Sequence, residues 1–197
     1  MRAAMMVLVS VAAAWSAAAR PQAAGAAKGA DAMGTKAAAP ATRLFPCLWF
    51  EKEADEALRW HRAAFPDAKL VDEMRGGDVG PLPKGALVAA TLELDGQRLM
   101  LLNGGPPRAF TEAASIVVEV GTQAELDRVW TKLVDGGSES MCGWLKDRFG
   151  VSWQVVPRVL GELMRDKDPA VVGRVTAAML KMRKLDVAAL LAARDAR

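Results

Sequence analysis

Residues 86–107 read ALVAATLELDGQRLMLLNGGPP. Two apolar runs, 86–94 and 97–103, flank Asp95-Gly96, a pair that tolerates the positive φ angles of a type I′ turn. The runs are therefore predicted to fold back on each other as an antiparallel hairpin. Asn103-Gly104-Gly105-Pro106-Pro107 ends the second strand. Upstream, residues 76–85 hold four glycines and two prolines and read as a loop. Before that loop, residues 68–75 suit a strand. Residues 53–65 place Ala54, Ala57, Leu58, His61 and Phe65 on one helical stripe, which Pro66-Asp67 terminates. Residues 43–50, RLFPCLWF, form a short aromatic-containing run bounded by charges, the pattern of a buried strand. The order is β-α-β-β-β.

The same order returns downstream. Residues 115–120 alternate as a strand. Thr122 and Glu125 have capping-box spacing and open a helix with Leu126, Val129, Trp130, Leu133 and Val134 on its apolar face. Gly136-Gly137 ends it. Residues 138–145 and 151–156 read as later strands around a polar turn at 146–150, and the fourth strand of this half is only weakly signalled. A unit repeated after about seventy residues indicates an internal duplication. Beyond Pro157 the pattern is helical. It shows a short helix at 158–166, an Asp168-Pro169 start with a stripe of Val172, Val175, Met179 and Met182, and a last helix at 187–194 capped by Asp186. The stripe fits packing against the domain or a twin subunit.

The first residues have another purpose. Arg2 precedes an apolar run, 3–15, and Ala17-Ala18-Ala19 supplies small residues, so residues 1–19 have the form of a signal peptide and are short for a membrane span. Export to the periplasm or medium is expected. A misassigned start codon ahead of a cytoplasmic domain is the alternative. Residues 20–42 are rich in Ala, Gly, Pro and Lys without apolar period and read as a disordered linker. The net charge of +3 arises in this leading stretch, where residues 1–42 carry four basic side chains and one acid. The rest is neutral, so a nucleic-acid role is not expected. The two cysteines, Cys47 and Cys142, have no zinc or haem spacing. They read as small buried hydrophobes, with pairing open to them if the protein is exported.

Several strings resemble the PhnB-like group of the vicinal oxygen chelate (glyoxalase/bleomycin-resistance/dioxygenase) superfamily, often labelled 3-demethylubiquinone 3-methyltransferase-like. They are LWF at 48–50 with EADEAL at 53–58, LELDGQRLMLLNGGP at 92–106, FTEAAS at 110–115, CGWLKDRFGVSWQVVP at 142–157 and AMLKMRKLDVAAL at 178–190. Trp60-His61 departs from the Phe-Tyr usual there. The resemblance implies an α+β fold at 43–157, with two βαβββ modules (43–107 and 110–157) forming a cupped mixed sheet. It also implies a ligand cleft, a homodimer, and helices over 158–197. A methyltransferase of the common type needs a parallel sheet with a Gly-rich turn after its first strand, and no such turn follows residues 43–50.

Metal-using relatives carry ligands on strands one, four, five and eight. Those places fall here at Pro46 or Cys47, near 101–103, at Ser115 and at Gln154. With a single histidine in the chain, a two-histidine iron site within one chain is impossible. Cys, Asn, Ser and Gln are a poor set for a divalent ion, so no metal or other cofactor is expected. The cup is expected to be lined by Trp49, Asn103, Ser115, Glu119, Trp144 and Gln154. Trp49 and Trp144 have core packing as their competing role, and His61, on the apolar helix stripe, reads as a core residue. Two functions stay open. One is a small-molecule-binding protein with a metal-free cleft. The other is a metal-independent lyase or isomerase in which Glu119 is the base and Asn103 or Gln154 holds an oxyanion.

Overall fold

The structure is a computed structural model that describes residues 43–196. The expected signal peptide and linker lie outside the described residues. The domain is α+β and consists of two four-stranded mixed sheets with helices.

The first half runs β1 (Cys47–Phe50), α1 (Ala54–Ala64), β2 (Lys69–Arg75), β3 (Leu87–Leu94) and β4 (Gln97–Asn103). Its strand order is β1-β4-β3-β2, with β1 parallel to β4 and the other pairs antiparallel. The predicted turn is present: Asp95 and Gly96 take φ of 46° and 78° between β3 and β4. The second half runs β5 (Ile116–Val120), α2 (Gln123–Val134), β6 (Ser138–Glu139), β7 (Trp144–Lys146) and β8 (Ser152–Pro157), in the order β5-β8-β7-β6. β5 is again parallel to β8. The two halves thus share one topology, as the repeated pattern predicts. The capping box forms: Thr122 accepts from the Glu125 amide, and Glu125 accepts from the Gly121 and Thr122 amides.

One stretch differs from the expected continuous strand at 138–145. It breaks into β6 and β7 because Cys142 and Gly143 have φ of 60° and 85°, which no ladder accommodates. Their amides instead donate to Met182 O and Arg183 O, both at 2.7 Å. The chain after β8 therefore belongs to this half. It forms α3 (Arg158–Leu163), α4 (Pro169–Met179) and α5 (Val187–Asp195), which pack on one another. Asp168 and Asp186 cap the last two helices by accepting from Ala170 N and Ala189 N. Between α4 and α5 the chain lies on α2. Gln123 bonds Leu185 O and Val187 N, and Lys184 pairs with Asp127 at 2.7 Å. Leu185 is fully buried.

The halves share a core. Trp153, on β8, is fully buried and meets His61 of α1 and Phe65 just after that helix at ring-centroid distances of 5.5 and 5.7 Å. Asp147, after β7, is also buried. It accepts from the Phe149 and Val151 amides and from Trp153 Nε1, each at 2.9 Å. Arg128 of α2 donates to Ala64 O at the end of α1 at 3.0 Å.

Candidate functional site

Each sheet has a face turned to the helices and a face turned away from them. Strand alternation sorts the side chains between the two. In the first sheet Leu48, Phe50, Leu99, Leu101 and Asn103 are buried on the helix side. Cys47, Trp49, Met100 and Leu102 alternate with them and take the open side. In the second sheet Leu145, Trp153 and Val155 face the helices. Val117, Glu119, Trp144, Lys146 and Gln154 share the open side, as the pairings Val117↔Gln154, Glu119↔Val156 and Trp144↔Gln154 require.

Four of the six expected site residues therefore come together. Gln154 Nε2 donates to Ser115 Oγ at 2.9 Å across β8 and the entry to β5. Trp144 pairs directly with Gln154 on β7 and is half-buried. Glu119 is exposed two residues beyond Val117 on the same face. Lys146 continues this strip and pairs with Glu112 at 2.7 Å, so the segment before β5 is tied to the open face. Ser152, opposite Lys146, is buried there with its hydroxyl unpartnered.

Asn103 lies elsewhere. Its amide is on the helix side, and both its oxygen and its nitrogen are hydrogen-bonded. Oδ1 accepts from Ala54 N at 2.9 Å, and Nδ2 donates to Leu87 O at 2.8 Å. Glu53, the residue at the start of α1, gives no side-chain cap. Asn103 supplies that cap from a distant strand, satisfying an amide that the helix leaves bare. An asparagine at a strand end is a turn signal in sequence. That its amide bridges two other elements is a long-range fact that spacing does not carry.

Trp49 sits on the open side of β1, apart from the Ser115–Gln154 pair. Its ring lies against Gly104, where a Cβ would fall inside the indole, and Nε1 donates to Pro106 O at 3.2 Å. Together with Phe50, Glu51, Arg108, Phe110 and Phe149 it borders a cleft of about 270 Å³ at the junction of the halves.

His61 is buried in the shared core. Nδ1 lies 2.7 Å from Ala57 O and donates to it. Nε2 has no hydrogen-bond partner and faces Asp147 Oδ2 at 3.6 Å. The expectation of a core histidine is met in position, but only one of its ring nitrogens is hydrogen-bonded. Cys47 is exposed at the start of β1 and Cys142 is half-buried; both are free thiols, and burial pushes each thiol up from its ordinary value. Cys47 is thus no core residue, because it is the first residue of its strand and lies on the open side.

Among the described residues no group of three or more His, Cys, Asp or Glu side chains stands close enough to hold a metal ion. Asn103 is turned to the helix side, Ser115 and Gln154 bond each other, and the one imidazole is sealed in the core.

The comparisons with known proteins agree with this architecture. The model of the 3-demethylubiquinone-9 3-methyltransferase family matches residues 42–156. The PhnB protein from Bacillus cereus is 31% identical, with a TM-score of 0.54 over 59% of this chain and 99% of its own. Protein PA1353 from Pseudomonas aeruginosa is 26% identical, with a TM-score of 0.51 over 59% of this chain and 98% of its own. A glyoxylase/bleomycin resistance protein/dioxygenase domain from Frankia sp. EAN1pec is a more distant likeness, 16% identical with a TM-score of 0.41, over 60% of this chain and 93% of its own. No curated protein matches. With more than half of its residues matched and both halves folded as paired βαβββ units, the chain belongs to the 3-demethylubiquinone-9 3-methyltransferase family, as the PhnB protein does.

Proposed function

We propose that the protein binds a small amphipathic molecule on the open face of its second sheet, without a metal. One observation carries this reading. The Ser115–Gln154 pair, bonded at 2.9 Å beside the half-buried Trp144, offers amide and hydroxyl groups next to an aromatic wall. Such a surface suits a neutral polar or aromatic ligand, oriented by a few hydrogen bonds and held by apolar contact. The donors are oxygen and amide groups without the imidazole or paired carboxylates a cation needs.

The family's name is that of a methyltransferase. Both sheets here are mixed, and Glu51-Lys52-Glu53, not a glycine-rich turn, follows the first strand. That architecture favours the binding reading over methyl transfer. A second reading rests on Glu119, which is exposed and shares the open face with Gln154. In it Glu119 acts as a general base in a metal-independent lyase or isomerase. Exposed Val71, Met74, Val117 and Met141 support a homodimer, with a second copy covering apolar surface on both sheets. The leader supports export.

Binding is tested by thermal shift and calorimetry of tag-free protein against aromatic and amphipathic small molecules, with Gln154→Ala as the control. The reading expects saturable binding that Gln154→Ala weakens about tenfold. Binding that survives Gln154→Ala and Ser115→Ala together refutes it. Turnover that vanishes in folded Glu119→Gln would replace it with the enzyme. Metal analysis showing near-stoichiometric zinc, nickel or iron would refute the cation-free face.

A further inference from the structure

The cleft of about 270 Å³ at the junction of the halves is a different place from the Ser115–Gln154 strip, and its walls have their own chemistry. The end of β1, the segment joining the halves, and the turn before β8 each give it an aromatic ring: Trp49, Phe110 and Phe149. Phe50 also borders the cleft, edge-to-face with Phe110 at 5.9 Å and with Phe149 at 5.7 Å. Trp49 is set by its hydrogen bond to Pro106 O and by the bare Cα of Gly104 under its ring. A half-exposed indole held by a hydrogen bond at its edge and by contact with Gly104 is a wall prepared before any ligand arrives.

Four ionisable side chains reach the cleft: Glu51, Glu53, Arg108 and Arg148. Two are occupied. Arg148 donates to Asp135 O and to Asp135 Oδ2, at 3.1 and 2.8 Å, and lies over the Trp60 ring at 5.8 Å. Glu53 accepts from the Lys52 amide at 3.0 Å. Arg108 and Glu51 make no side-chain hydrogen bond or ion pair among the described residues. One guanidinium and one carboxylate therefore remain at the edge of an aromatic cleft.

We propose that this cleft binds a small zwitterion bearing an aromatic group, of the size and kind of an aromatic α-amino acid. Its carboxylate meets Arg108, its ammonium meets Glu51, and its ring lies against Trp49 and Phe110. A simple anion is disfavoured by two glutamates at the same cleft, and a simple cation by two arginines; a molecule carrying both charges satisfies the free pair. The volume sits at the low end of ligand pockets, which fits one ring and a short polar head. This inference does not rest on the function proposed for the open face.

The test is a titration of full-length, tag-free protein with L-phenylalanine, 3-phenylpropionate and 2-phenylethylamine, followed by calorimetry or by tryptophan fluorescence. The last two probes each lack one charge. L-phenylalanine is expected to saturate at millimolar concentration or below, and about tenfold more tightly than either other probe. Arg108→Ala should abolish its advantage over the amine, and Glu51→Gln its advantage over the acid. Both side chains are exposed, so melting temperature should be unchanged and a folding defect is separable. Gln154→Ala should leave this binding intact. Absence of saturation by L-phenylalanine overturns the proposal. So does equal affinity for all three probes, indifference to Arg108→Ala and Glu51→Gln, or loss on Gln154→Ala.

Discussion

Asn103→Ala separates two roles for one amide. In the structure Asn103 accepts from Ala54 N at 2.9 Å and donates to Leu87 O at 2.8 Å, in a site only 9% exposed. Truncation leaves a helix-start amide and a strand carbonyl without partners. Each buried orphan costs about 1–3 kcal/mol, so the loss should be about 2–6 kcal/mol. For a domain of this size that lowers the melting temperature by about 5–15 °C. Urea unfolding at fixed pH measures it, and an unchanged slope with a lower midpoint marks a true stability loss. Asn103→Asp keeps an acceptor for Ala54 N but loses the donor to Leu87 O and buries a charge, so it should be at least as damaging. Ligand affinity of the folded fraction should be unaffected. A loss below about 0.5 kcal/mol would refute the capping role, as would normal stability with lost binding.

Three further substitutions and one pH profile extend the account. Gly143→Ala should destabilise by more than about 2 kcal/mol, because φ is 85° and the new methyl would press on Val155 O and Leu185; chemical denaturation reads it. Leu185→Ala should cost about 2–5 kcal/mol, since the side chain is fully buried. Hydrogen exchange of the Cys142 and Gly143 amides should then quicken. Asp147→Ala should be among the most damaging changes, because it strips three donors of their buried acceptor; loss of soluble expression or of a cooperative melt is the readout. The Glu125 carboxyl is held below its usual range, first by the Gly121 amide and then by the Thr122 groups. A depressed folded value means that its contribution is present at neutral pH and is lost as pH falls through that value. Glu125→Gln should therefore flatten the acid limb of the stability curve.

The repeat was legible because each half carries local signals. Asp95-Gly96 fixes a turn, Thr122–Glu125 a helix start, and the alternation around Gln154 places Trp153 and Gln154 on opposite faces. The break at Cys142–Gly143 was not legible. It depends on partners at Met182 and Arg183, some forty residues away. Neither was the capping role of Asn103, for the same reason. Alternation does put Trp49 and Asn103 on opposite faces of the first sheet, since Trp49 pairs with Leu102 and Phe50 with Asn103. That follows only once the parallel register of β1 on β4 is known. The junction cleft has no motif at all, because its rings come from three separate segments.

The bonds from Cys142 and Gly143 to Met182 and Arg183 have a consequence for biosynthesis. A ribosome makes the middle of the second sheet before the residues that hold its bend in place. Until the last turns of the chain emerge, those two amides have only water to bond, and the pocket that receives Leu185 stands open. A message cut short after the codon for β8 would encode every strand and still yield a protein unable to finish its own sheet.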